Sequence, residues 1–170
     1  MSATARRWTG SHRHTDPVFV AGEHRLLRER SSDPGAEYVA TERALYLCTA
    51  AESGWRRLAW MDVARVEHAH SSGALILRTW PDGDEPTVRV PVTATSRLRL
   101  LAQERVDSCQ VLVRRVEIGR GGAVITALRA PGTGEISWCV HLLATDGQDD
   151  PATAALLDRT LCELRVQAGC

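Results

Sequence analysis

The chain has 170 residues, of which 44% are hydrophobic and 25% are charged, and its formal net charge is zero. This length and composition are typical of one globular domain with room for an extension. Zero net charge provides no long-range field towards nucleic acids or anionic membranes. We therefore expect no nucleic-acid partner and at most peripheral membrane contact, and the longest uncharged runs are too short to span a bilayer.

Two residue types, lysine and asparagine, are absent from the sequence. Both have adenine-rich codons, which indicates a GC-rich genome. Without lysine the chain has no P-loop lysine, no Schiff base and no kinase-type phosphate lysine. The five cysteines (48, 109, 139, 162 and 170) are odd in number and lack CxxC spacing, which fits neither a zinc framework nor a disulfide scaffold.

The first 17 residues are polar and lack an apolar signal segment, so they predict a flexible tail and a cytoplasmic protein with reduced thiols. Short alternating segments separated by turn residues then predict seven strands. They cover residues 23–30, 36–41, 44–49, 55–59, 63–70, 74–80 and 87–92. A corner at Trp60–Asp62 separates the fourth and fifth strands, and we expect the Asp62 carboxylate to set it by accepting backbone N–H bonds. Helical spacing follows over residues 94–109.

A second unit of three strands and a helix is predicted after residue 109. Its strands cover residues 111–118, 123–130 and 135–143, with Gly-rich turns at 119–122 and 131–134. Asp149-Asp150-Pro151 is typical of a helix start, with an aspartate cap and proline in the first turn. At about 60 residues this β-β-β-α unit is too small to stand alone, so we expect it to pack against the first unit or to dimerise.

Two motifs in the first unit resemble those of bacterial pleckstrin-homology-like and GRAM-like domains. One is a T-x-R-φ-φ-φ strand beginning at Thr41, and the other is a φ-x-W-x-D-V-x-x-V-E strand pair. The residues that match are Thr41, Arg43, Ala44, Leu45, Tyr46, Leu58, Trp60, Asp62, Val63, Val66 and Glu67. The sequence looks like small actinobacterial proteins of this type with no assigned activity.

The fold class predicted with this resemblance is α+β and dominated by antiparallel sheet. A pleckstrin-homology-like β-roll of seven strands with a closing helix is expected at residues 18–109, and the β-β-β-α extension at residues 110–170. The matching residues are core and turn residues, so the resemblance specifies a fold more than a function.

Candidate metal ligands and catalytic residues are few. His68 and His70 are two apart on a predicted strand and would share a face, which makes them a partial metal site that needs a third ligand such as His141. Cys139 and His141 also share a predicted strand face, but a nucleophilic pair needs hydrogen-bond contact, an orienting partner and an oxyanion hole. In both cases we favour packed or solvated strand residues, and we expect no catalytic residue, no metal and no cofactor.

Arginines are the other candidates. Arg28 and Arg30 precede the first predicted turn, where the resemblance implies that basic residues can hold phosphates, and Arg43 belongs to the T-x-R motif. The favoured hypothesis is a non-catalytic interaction module that binds an unknown protein partner or associates with itself. The alternative is a binder of a phosphate-bearing small ligand or lipid head group that uses Arg28, Arg30 and Arg43.

Overall fold

A computed structural model describes residues 15–49, 54–81, 87–118, 121–143 and 151–168. Within these ranges the chain is α+β, with three antiparallel sheets and two α-helices. The first sheet, in order, contains β1 (Arg25–Arg30), β2 (Glu37–Thr41), β3 (Ala44–Cys48) and β4 (Arg56–Ala59). The second contains β5 (Val63–Ala69), β6 (Ala74–Thr79) and β7 (Thr87–Pro91). The third has the order β10-β9-β8, from β8 (Gln110–Ile118), β9 (Gly121–Arg129) and β10 (Ile136–Leu143). The helices are α1 (Leu98–Cys109) and α2 (Pro151–Gln167).

The main core lies between the first two sheets and α1. It is formed by alternate residues of the strands together with four residues of one face of α1. Its buried members include Tyr38, Leu45, Trp60, Val63, Leu75, Leu77, Val88, Val90, Val92, Leu98, Ala102 and Val106. Each fully buried aliphatic or aromatic side chain contributes about 1.5–3 kcal/mol relative to exposure, so this cluster is the principal source of stability.

The predicted corner at Trp60–Asp62 is a short 3₁₀ turn that joins the first two sheets. Trp60 is fully buried there, and its indole N–H donates to the Thr41 carbonyl at 2.9 Å. The Asp62 carboxylate, however, makes no hydrogen bond to another described residue. The corner is instead fixed by backbone bonds, in which Trp60 N–H donates to the Arg43 carbonyl and Trp80 N–H donates to the Asp62 carbonyl.

The Thr41 side chain organises the turn between β2 and β3. Its hydroxyl accepts the N–H of Ala44 at 2.9 Å and the N–H of Arg43 at 3.2 Å. A threonine hydroxyl that bonds nearby backbone in this way stabilises a tight turn. The Thr41–Arg43 and Trp60 motifs, which are 19 residues apart, therefore meet at one point of the fold.

The third sheet contacts the first unit through specific side chains. The Gln110 amide donates to the Val63 and Ala64 carbonyls at 3.3 and 2.9 Å. His141 of β10 is buried and stacks on Trp80, with ring centroids 4.9 Å apart and planes 9° from parallel. The third sheet thus packs against the end of β6 and the start of β5.

The strand predictions agree with the structure to within one or two residues at most boundaries, and the second helix begins at Pro151 as predicted, whereas the start of α1 differs for a local reason. The predicted strand 63–70 ends at Ala69, and His70 begins a second 3₁₀ turn, His70–Ser72. The helix predicted from residue 94 begins at Leu98, because the Ser96 hydroxyl accepts the Leu98 N–H and the Glu29 carboxylate accepts the Arg97 N–H.

Some predictions fall outside the described residues. These are the tail at residues 1–14, the turn residues 119 and 120, and the capping residues Asp149 and Asp150. Residues 15–17, which we expected to belong to the flexible tail, contact the first sheet instead, as described below. Neither α1 nor α2, the two helices within the described ranges, has the length and apolar content needed to cross a membrane.

Candidate interaction surfaces

A buried carboxylate, Glu23, lies on the outer face of the first sheet, away from the main core. Its side chain is fully buried and forms a salt bridge with Arg57, whose Nη2 lies 2.6 Å from Oε1. The Tyr46 and Thr41 hydroxyls donate to Oε2 at 2.7 and 3.2 Å. Both carboxylate oxygens are therefore hydrogen-bonded, as a buried charge requires.

The protonation of this network follows from its hydrogen bonds. Burial alone would raise the pKa of Glu23, but the hydrogen bonds from Arg57 and Tyr46 outweigh it, and the pKa is lowered. Burial and the hydrogen bond to Glu23 raise the pKa of Tyr46. Glu23 is thus ionised at neutral pH, and it serves as the acceptor at the centre of the network.

The segment before β1 covers this outer face. Phe19 packs edge-on against Tyr46, with ring centroids 5.4 Å apart. The Trp55 indole donates to the Thr15 carbonyl at 2.7 Å, and Asp16 forms an ion pair with Arg28. The face is therefore occupied by residues of the same chain, from Thr15 to Glu23.

The three candidate arginines for phosphate binding do not converge. Arg28 makes a two-pronged contact with Glu37, with nitrogen–oxygen distances of 3.0 and 2.9 Å, and these bonds raise its pKa. Arg30 is exposed at the β1–β2 turn, where it pairs in register with Glu37. Arg43 lies beyond Thr41, at the opposite end of β2, so the structure separates it from Arg28 and Arg30.

The Arg43 side chain packs between the turn at Ala21 and the turn at Gly132. Its Nη1 donates to the Ala21 carbonyl at 3.3 Å, and a Cβ added at Gly132 would lie 2.5 Å from its Nη2. Its Nε is buried without a hydrogen-bond partner among the described residues. Arg43 therefore links the first unit to the turn that follows β9.

The two histidines proposed as partial metal ligands are not on one strand. His68 lies on β5 opposite Leu75, whereas β5 ends at Ala69 and His70 belongs to the following 3₁₀ turn. The two-residue alternation that would place them on one face stops between them. Over the described part of the chain, no group of three or more His, Cys, Asp or Glu side chains is arranged to hold a metal ion.

Cys139 and His141 are on the same face of β10, as predicted from alternation. The His141 ring is held by its stack on Trp80, and its Nε2 lies 3.2 Å from the Thr126 hydroxyl. These contacts account for the burial of His141 as a packing residue between β10 and Trp80. No local pattern in the sequence indicates this stack, because residues 80 and 141 are far apart in the chain.

Exposed aliphatic side chains are concentrated on the outer strands of the third sheet. We call this set the third-sheet rim, and it consists of Val111 and Val113 on β8 and Val140 and Leu142 on β10, which are 36–49% exposed. Among the described residues these are four of nine large exposed apolar side chains. They lie along the two opposite edges of the sheet, with Val113 on the face opposite to that of Val140 and Leu142. Sequence reasoning identified the strands but not the rim, since exposure depends on the order of strands in the sheet.

Comparison with models of known protein families, with curated proteins and with solved structures finds no match to this chain.

Proposed function

We propose that the protein is a non-catalytic interaction module that binds a protein through its third sheet and works in the cytoplasm. In this proposal residues 18–109 form a pleckstrin-homology-like roll, and residues 110–170 form an extension that carries the binding surface. The four-stranded and three-stranded sheets, with α1 packed against β5 and the Trp60–Asp62 turn, support the roll. The bonded Thr41, Arg43 and Trp60 support it further, because they are the residues on which the resemblance rests.

The roll's buried polar side chains bond mainly to one another. Glu23 is held by Arg57, Tyr46 and Thr41, and Arg28 is held by Glu37. Such closed networks fix the position of strands and give a unique packing. They support a structural role for these groups within the module.

The observation that carries the proposal is the third-sheet rim. Exposed aliphatic side chains on outer strands favour association, because pairing removes apolar surface from water and satisfies the backbone groups of the sheet edge. This mode of recognition, in which a strand is added to a sheet edge, is common among interaction domains. We therefore assign binding to β8 and β10 rather than to the covered outer face of the first sheet.

The experiment is affinity capture from a lysate of the source organism with the tagged protein, combined with light scattering of the purified protein. Wild type is compared with Val113→Glu and Leu142→Glu on the rim and with Leu100→Glu on α1, an exposed position outside the third sheet. We expect a stoichiometric protein, either different or a second copy, with wild type and Leu100→Glu, and its loss with one or both rim variants. A monomer that captures no stoichiometric protein contradicts the proposal.

Binding of a phosphate-bearing ligand or lipid head group is the second candidate. The observation that favours it is that Arg30 is exposed and makes no ion pair with another described residue. It has less support, because Arg28 is already paired with Glu37 and Asp16. Flotation with vesicles of phosphatidylcholine and phosphatidylglycerol tests it, since it requires wild type to float more than an Arg28→Ala, Arg30→Ala variant, and equal negligible flotation of both excludes it.

A further inference from the structure

The strand β10 differs from every other outer strand of the three sheets. The outer strands are β1, β4, β5, β7, β8 and β10, and all except β10 contain arginine, glutamate or proline. β10 has the sequence ISWCVHLL, with no Asp, Glu, Arg or Pro in eight residues. Charges and prolines on outer strands prevent pairing with another chain, so their absence leaves β10 suited to such pairing.

The backbone of β10 is paired on one side. All eight residues from Ile136 to Leu143 are in register with β9, and no other described strand pairs with β10. The side chains of Val140 and Leu142 lie on the same face of this outer strand as Trp138 and are 36% and 37% exposed. An added strand would therefore find both backbone partners and apolar contacts along β10.

The helix α2 gives a second, independent observation. In this 17-residue helix only Leu164 is buried, while Leu156, Leu157 and Leu161 are half-buried. α2 lies on the Trp138 side of the third sheet, where the Arg165 guanidinium is 5.9 Å from the Trp138 ring centroid. Helices in proteins owe most of their stability to the packing of an apolar face. The described residues cover the apolar face of α2 only in part, so this face is suited to further packing.

From these observations we infer that the binding partner of the third sheet is a second copy of this chain, with β10 antiparallel to β10 of that copy. The inference rests on the proposed function and names its partner. The two-fold axis is perpendicular to the sheet, so the two sheets join into one of six strands. The sheet faces that carry Trp138 in the two copies then form one continuous face. Both α2 helices, with their half-buried leucines, lie on this face.

Charge favours two identical strands over a charged partner strand. Like charges directly opposite each other destabilise a pair of strands. Two copies of β10 avoid this, because β10 contains no Asp, Glu or Arg. The chain also has zero formal net charge, so two copies do not repel each other at long range. β8, by contrast, carries Arg114, Arg115 and Glu117 along its outer edge.

The two registers that pair most of β10, those centred on Val140 and on Cys139, keep apolar residues opposite each other on the Trp138 side. With Val140 on the two-fold axis, Val140 faces itself and Trp138 faces Leu142. With Cys139 on the axis, Trp138 faces Val140 and Ile136 faces Leu142. The two copies of residue 140 are directly opposite in the first register and diagonal, at about 7–8 Å, in the second. Like charges at position 140 therefore oppose pairing in both.

The test uses a pair of opposite charges at position 140 in the full chain. Light scattering is measured for wild type, Val140→Glu, Val140→Arg, an equimolar mixture of these two variants, and Leu100→Glu as a control at an exposed position of α1, outside the third sheet. We expect wild type and Leu100→Glu to have twice the 18.6 kDa chain mass. Each position-140 variant alone is expected to have half the wild-type mass, and the mixture is expected to return to the full dimer mass. Recovery in the mixture shows that the single variants are folded.

Other outcomes overturn the inference in distinguishable ways. A monomeric wild type that captures a different protein through the rim contradicts the second copy as partner and leaves the proposed function standing. A monomeric wild type that captures nothing contradicts both. A dimer that persists in Val140→Glu and in Val140→Arg shows that the copies meet elsewhere, and it contradicts the pairing of β10.

Discussion

At the scale of single residues, Glu23 connects the segment before β1 to the first sheet. Its bonds reach Thr41, Tyr46 and Arg57, which lie on three different strands. No local pattern in the sequence predicts these bonds, because the partners are 18, 23 and 34 residues away. We interpreted residue 23 as the start of a strand, whereas its importance lies in a long-range network.

The variant Glu23→Gln tests this network by removing the charge while keeping the shape. Because Arg57 is partly exposed, solvent screens its pairing with Glu23, and we expect a loss of about 1–2 kcal/mol in the free energy of unfolding at pH 7. Urea denaturation measures it. Glu135→Gln, at an exposed turn position, is the control and should leave the stability unchanged.

Wild type and Glu23→Gln should also differ in how their stability depends on pH. The folded-state pKa of Glu23 lies below the ordinary value of 4.5, so its contribution is complete above that value and is lost as the pH falls through the folded-state pKa. Wild type should therefore lose stability more steeply than Glu23→Gln on acidification below 4.5. A stability difference that stays constant between neutral and acidic pH would contradict the assigned ionisation.

Besides its bond to Glu23, Thr41 has a local role in the turn between β2 and β3. Replacing it with valine keeps the volume but removes the hydroxyl that accepts the Arg43 and Ala44 N–H groups. We expect a loss of about 1–3 kcal/mol, since buried polar groups are left without partners. Thermal and urea denaturation measure this, with Thr93→Val at an exposed position as control, and equal stability of the two variants would contradict the role of the hydroxyl.

At the scale of elements, alternation of apolar and polar residues predicted most strands because one face of each strand is buried. Val88, Val90 and Val92 are buried as their spacing indicated, and Trp60 is buried at the predicted corner. Element ends were less predictable, because they depend on distant partners. Glu29, for example, lies 68 residues before Arg97, whose N–H it accepts at the start of α1.

The contacts of the candidate arginines are only partly predictable from the sequence. Arg28 and Glu37 lie on two strands that were predicted to form a hairpin, and opposite charges on paired strands attract each other. That arrangement indicates an acidic partner for one of the two arginines, but Glu37 lies directly opposite Arg30 and diagonal to Arg28, so strand register alone favours Arg30 as its partner. The turn at Gly132 was predicted, but no local pattern reveals that Arg43 packs against it.

The stack of His141 on Trp80 should control how firmly the third sheet is held. We expect His141→Ala to cost about 1–3 kcal/mol locally, through loss of the stack and of the bond to Thr126. Amide hydrogen exchange should become faster in β9 and β10 and stay unchanged in β2 and β3. His24→Ala, at an exposed site, is the control, and unchanged exchange in β10 of His141→Ala would show that the stack is not the anchor.

At the scale of the whole molecule, the α+β class followed from the sequence, but the proposed binding surface did not. The uncharged run in β10 is visible in the sequence, yet its meaning depends on β10 lying at the edge of the third sheet. Strand order arises from the packing of all three sheets, and period-two spacing carries no information about it. The sequence predicts only that the second unit packs against the first unit or dimerises. The strand order β10-β9-β8 allows the more specific proposal that two copies pair through β10.

In this proposal β10 is the strand through which the chain associates, and amide hydrogen exchange of β10 is its decisive test. The measurement compares wild type, Val140→Glu alone, and the equimolar mixture of Val140→Glu and Val140→Arg. We predict slow exchange of β10 in wild type, faster exchange in Val140→Glu and slow exchange again in the mixture, with β8 the same in all three. Equal exchange of β10 in Val140→Glu and in the mixture would contradict the claim.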